Sequence, residues 1–248
     1  MQITIPARYR GPATSGNGGW TAGSLAQALR AAADADGPVT VRLSAPPPLD
    51  RPLDVEVTGA SEPSSSACVT LRDGDAVIAT ATTARGWSRE PVPFVEPESA
   101  AATVAGYATD QHPFPHCFVC GPARQPGDGM RLTPGPLPGG GSACVWRPAD
   151  THDGPVAEPA VWSALDCPGG WASDIVGRPM VLGTMTADVL QLPDADATHV
   201  VTGRLDDEQG RLSWTSSSLW TSTGDLLARA EAIWVHVDAS VFDRILVA

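Results

Sequence analysis

A helix followed by antiparallel strands occurs twice in this chain, and that repeat limits the fold more than any other feature. Residues 17–34 open with Asn17-Gly18-Gly19-Trp20, a turn, and continue with a run rich in Ala and Leu. Ala22, Leu25, Ala26 and Leu29 follow helical spacing, and Gly37-Pro38 stops the helix. Val39 to Leu43 then alternates as a strand, Pro46-Pro47-Pro48 breaks it, and Leu53 to Val57 alternates again. Ala67 to Leu71 and Ala76 to Thr82 flank Arg72-Asp73-Gly74-Asp75, a hairpin with a turn signal.

The second half keeps this order. Pro159 to Asp166 predicts a helix ending at Pro168-Gly169-Gly170. Strands follow at Met180 to Leu192 and Thr198 to Leu205, with a polar turn at Asp206 to Gly210. Leu212 to Thr221 and Leu226 to Val237 then flank the turn Ser222-Thr223-Gly224-Asp225. The distance from Trp162 to Val181 equals that from Trp20 to Val39, which makes Trp162 the counterpart of Trp20. Gly169-Gly170-Trp171 echoes Gly18-Gly19-Trp20 and is the competing register. Each half is one apolar helix with several antiparallel strands, which is the hotdog layout of the α+β class. The expected organisation is a tandem (double) hotdog: a first domain over 1–85, a Pro/Glu/Ala-rich linker over 86–112, and a second domain over 113–248.

Composition narrows the partners. The formal net charge is −12 and every basic residue is Arg, with no basic cluster. That argues against nucleic acid and anionic membranes, while a few Arg residues can still hold a phosphate. No run is long enough for a membrane span, and the N-terminus lacks the pattern of a signal peptide. The five Cys are odd in number, and with no secretory signal they fit reduced thiols and a cytoplasmic location.

Asn17-Gly18-Gly19-Trp20-Thr21-Ala22-Gly23, its helix and the strand segment "VTVRLSAPPPLDRPLDVEV" resemble the N-terminal half of TesB-like (acyl-CoA thioesterase II-type) double-hotdog proteins. Cys117-Phe118-Val119-Cys120-Gly121 with Gly127-Asp128-Gly129-Met130-Arg131-Leu132 is similar to the lead-in of single-domain hotdog thioesterases. The resemblance implies an acyl-CoA thioesterase with a small-molecule acyl-CoA partner, no cofactor beyond the CoA of the substrate, and leaves a homodimer open.

It also implies a site. A thioester carbonyl would sit at a helix start, where free N–H groups stabilise a developing oxyanion. Gly18 and Gly19 would supply that start, with Asn17 as N-cap and Trp20 beside it. The first helix carries no carboxylate, whereas Asp166 follows the apolar run Val161-Trp162-Ser163-Ala164-Leu165. An acid there is costly to bury unpaired and matches the family's catalytic Asp by position. Glu158, before Pro159, is the reserve acid. The family's water-positioning Thr falls near Thr184 or Thr186. Its Gln falls near Glu231-Ala232, where this chain has no Gln and Glu231 stands instead. That departure supports an alternative, a non-catalytic acyl-CoA or acyl-chain binding protein. Arg124 or Arg131 are candidates for the CoA phosphates.

Other constellations are weaker. His112, His116, Cys117 and Cys120 could ligate zinc, but structural sites draw ligand pairs from two segments and no second Cys pair exists, so no metal is expected. Cys117 and Cys120 are expected on a buried strand. No Gly-x-Ser-x-Gly elbow or phosphate loop is present. A hydratase would need an Asp/His pair, and His152 near Asp153 is the one candidate.

Overall fold

The computed structural model describes residues 1–33, 36–59, 67–150 and 155–238. Its centre, among the described residues, is one antiparallel sheet of eleven strands. The first half supplies β1 (Gln2–Thr4), β2 (Val39–Leu43), β3 (Pro52–Thr58), β4 (Cys68–Asp73) and β5 (Ala76–Thr83). The second supplies β6 (Gly135–Pro136), β7 (Ser142–Trp146), β8 (Met180–Val189), β9 (His199–Gln209), β10 (Leu212–Thr221) and β11 (Leu226–His236). Their order across the sheet is β1-β3-β4-β5-β2-β8-β11-β10-β9-β7-β6. Helix α1 (Gly18–Ala33) packs on β2, β4, β5 and β8, and α3 (Glu158–Trp171) packs on β7 to β11. A short α2 (Pro97–Ala102) lies between them in sequence. Among the described residues no helix is long and apolar enough to cross a membrane.

The two halves join through β2 and β8, which pair from Val39↔Ala187 to Arg42↔Thr184. Arg42 and Thr184 are separated by the same number of residues as Trp20 and Trp162. The local two-fold relating the halves therefore passes through the Arg42–Thr184 pair, and the Trp20–Trp162 register holds. Gly169-Gly170-Trp171 instead forms the last turn of α3.

A symmetric ladder would continue beyond that pair. Here it stops: Ser44 and Ala45 turn their N–H groups to Ile78 O on β5. Leu43 to Ala45 and Val181 to Gly183 separate and line a cavity of about 270 Å³.

Several boundaries differ from the sequence expectation. α3 runs past Pro168 to Trp171. Proline withholds one helical N–H, but hydroxyls from the sheet hold this turn: Ser217 Oγ donates to Leu165 O at 2.7 Å and Ser142 Oγ to Pro168 O at 2.6 Å. β9 continues through Asp206 to Gln209, so the turn sits at Gly210, with φ of 59°. Arg204 and Ser216 satisfy Asp206 along that strand. Cys117 to Gly121 is a tight turn rather than a strand, closed by Gly121 N–H donating to Cys117 O at 2.9 Å.

Residues 92–107 run over the second half as an ordered strap. Val92 N–H donates to Ser218 Oγ at 2.9 Å, Phe94 packs edge-on to Trp220, and Thr103 Oγ donates to Ala143 O at 2.7 Å.

Candidate active site at the start of helix α1

Helices α1 and α3 cross antiparallel, backbone against backbone. A Cβ at Gly19 would fall 2.7 Å from Trp162 O and from Asp166 Cβ. One at Gly23, a turn further on, would fall 2.7 Å from Pro159 Cα. Only glycine at these two positions lets the helices meet so closely. The crossing carries Asp166, about two turns into α3, to the backbone donors that the α1 start leaves without helical partners.

Asp166 is buried, with 3% of its surface exposed. Its Oδ2 accepts the Gly19 N–H at 3.0 Å and Asn17 Nδ2 at 2.9 Å. Asn17 Oδ1 in turn accepts the Trp20 N–H at 2.8 Å, so Asn17 caps the helix and orients the acid at once. Asp166 Oδ1 has no hydrogen-bond partner among the described residues, and Asp166 lines the cavity. Burial pushes the Asp166 carboxyl up to about 7, against the opposing pull of the Gly19 and Asn17 hydrogen bonds.

The cavity wall is mostly apolar, with Leu43, Ile175, Met180, Leu182 and Trp234 among its residues. Asn17, Gly18 and His112 give it polar points. His112 Nδ1 accepts the Phe114 N–H at 2.9 Å, which leaves the proton on Nε2. Burial holds this imidazole down to about 4, hence neutral. Its Nε2 also has no partner among the described residues.

The other expected residues fall in different places. Trp20 stacks on Tyr9 with ring centroids 3.5 Å apart, and its edge meets Phe118. Trp162 is fully buried and donates its indole N–H to Glu158 at 3.2 Å. Glu158 pairs with Arg30 at 3.1 Å at the far end of the helix crossing. Thr184 and Thr186 alternate with Met185 and Ala187, which are core residues. They therefore face away from the helices, and Thr186 meets Thr40 at 2.7 Å. Glu231 accepts the N–H groups of Ser88 and Arg89 and the Ser88 hydroxyl. None of Thr184, Thr186 and Glu231 lines the cavity.

Arg124 is buried, bonded to His116 O, Arg8 O and Asp128. Arg131 is exposed and adopts a left-handed conformation, φ 51°. His152 and Asp153 lie outside the described residues. Sequence reasoning missed Cys167, which the fold brings to Cys117 and Cys120, and the orphaned His112 Nε2. A Cys directly after the buried acid was the available signal.

No family model and no curated protein matches the chain. Solved structures do. The tesB protein of Mycobacterium avium subs paratuberculosis is 17% identical, covering 95% of this chain and 91% of its own, with a TM-score of 0.60. The acyl-CoA thioesterase II TesB2 of Mycobacterium marinum is 14% identical, covering 90% and 91%, with a TM-score of 0.55. The dehydratase domain of PpsC from Mycobacterium tuberculosis, solved with C12:1-CoA, is 17% identical, covering 96% and 97%, with a TM-score of 0.58. At these identities the likeness is one of architecture: the chain has the double-hotdog fold that these proteins share.

Proposed function

We propose that the protein hydrolyses an acyl-CoA thioester in the cavity between the α1 start and α3. The observation that carries this reading is Asp166: a buried carboxylate with one oxygen anchored on a helix start and the other unpaired on an apolar cavity. Such an acid is expensive to keep unless it acts on something that enters. The acyl chain would lie along Leu43, Ile175 and Leu182. Asp166 Oδ1 would take a proton from water as the water oxygen adds to the thioester carbonyl. Collapse would then release the acid and the CoA thiolate, which picks up a proton.

The role of the glycines follows from their bonds. The Gly19 N–H is engaged by Asp166 and positions it. The preceding Gly18 N–H, on the cavity wall, is the donor left for the oxyanion.

One observation favours a second reading, in which the protein binds an acyl thioester without cleaving it. Thr184, Thr186 and Glu231 are directed elsewhere, so the water-positioning set of the TesB resemblance is incomplete. Thiol release from a panel of acyl-CoA substrates tests the first reading. Tight binding of acyl-CoA without turnover across the panel would replace it with the second.

A further inference from the structure

Beside Asp166, three cysteines from two distant segments converge. Cys117 and Cys120 come from the Cys-Phe-Val-Cys-Gly turn, and Cys167 comes from α3. Their Sγ atoms all lie within 4.8 Å of one another, with Cys117–Cys167 at 3.9 Å and Cys120–Cys167 at 3.2 Å. Tetrahedral zinc with bonds of about 2.3 Å holds sulfurs about 3.8 Å apart, so the observed triangle is close to a ligand set. All three residues are buried and all three line the cavity. The sequence presents Cys117 and Cys120 from one segment; the fold supplies the ligand from a second.

The surroundings suit bound thiolates. Backbone N–H groups of Val119 and Cys120 hydrogen-bond to the Cys117 sulfur. Asn17 Nδ2 lies 4.0 Å from Cys117 Sγ. His112 lies on the same cavity wall, and its Nδ1 accepts the Phe114 N–H. It is not counted as a ligand, because a ligating Nε2 would need Nδ1 to donate. Cys144 is buried on β7, outside the cluster.

We infer that Cys117, Cys120 and Cys167 form a zinc-binding site with its fourth position open to the cavity. The ion would tie the 112–121 segment, whose Phe118 packs on Tyr9 and Trp20 at the α1 start, to helix α3. The inference stands on the thiol cluster and holds whether or not the cavity hydrolyses thioesters.

The test uses the full chain, purified reduced and without chelator. Zinc offered against a chromophoric chelator is expected to bind at one equivalent per chain. Cobalt in its place is expected to give thiolate-to-metal charge-transfer absorption and the strong visible bands of a tetrahedral site. Cys120→Ser and Cys167→Ser should each weaken zinc by at least ~10-fold, the lower end of what even an outer-shell change costs a metal site. Cys144→Ser should leave it unchanged. Near-ultraviolet circular dichroism separates a lost site from a lost fold, and the wild-type cobalt spectrum needs no variant at all. Folded, reduced wild-type protein that takes up neither metal overturns the inference. So does a native mass lower by one pair of hydrogens with a Cys120–Cys167 disulfide, or zinc affinity that survives both substitutions.

Discussion

Adding one methyl group at Gly23 tests whether the α1–α3 crossing is built as described. The new Cβ would lie 2.7 Å from Pro159 Cα and 2.8 Å from Trp162 Cβ. Carbon atoms rest at about 3.5–4.0 Å, so each contact is roughly 1 Å too short. Pro159 Cα is backbone and cannot rotate away; the helices must separate. Overpacking of this kind costs about 1–3 kcal/mol, and the helix preference for alanine over glycine returns up to about 1 kcal/mol. The expected net loss is about 1–2 kcal/mol, read as a lower urea midpoint with unchanged slope. At this chain length that is a Tm lower by roughly 2–4 °C per kcal/mol. Gly19→Ala meets Trp162 O, Ser163 Cα and Asp166 Cβ, so it should destabilise similarly. It should also displace the Asp166 anchor, and a displacement near 1 Å can cost on the order of 100-fold in turnover. Gly23→Ala should affect turnover far less. Parent-like stability for both variants would refute the backbone contact. Equal loss of turnover in both would refute the positioning role of Gly19.

Asp166→Asn should lower thioester hydrolysis at least ~100-fold with little effect on folding, measured by thiol release and circular dichroism. A non-hydrolysable acyl-CoA analogue should saturate at one equivalent per chain in calorimetry. The opposite end of the helix crossing is filled by the Arg30–Glu158 pair, and Ser24, the register counterpart of Asp166, donates its hydroxyl to Trp20 O. Leu182→Trp should shift the preferred acyl chain to shorter lengths across an acyl-CoA panel, because Leu182 lines the cavity. Arg30→Met should cost about 1–3 kcal/mol in urea unfolding, since among the described residues it leaves the half-buried Glu158 with only the Trp162 indole as donor.

The sequence by itself determined the elements whose periodicity is strong. The α1 spacing, the register from Trp20 to Trp162 and the Asp/Gly hairpin turns are local patterns, and they suffice for two helix-and-hairpin halves. Asp166 was legible as an acid embedded in an apolar run. Shorter or irregular elements were not. β1, β6 and β7 are too brief to alternate visibly, and α3 passes Pro168 with Ser142 and Ser217 bonding its carbonyls from the sheet. Tertiary structure decided which of the candidate residues meet. Which face of β8 meets the helices is set by sheet pairing, and that turns Thr184 and Thr186 away from Asp166. The partner of Asp166 is a backbone N–H far earlier in the chain, and the third thiol beside Cys117 and Cys120 comes from α3. Spacing along the sequence carries no information about such contacts, because helix crossing and ladder register, not chain distance, bring those atoms within bonding reach.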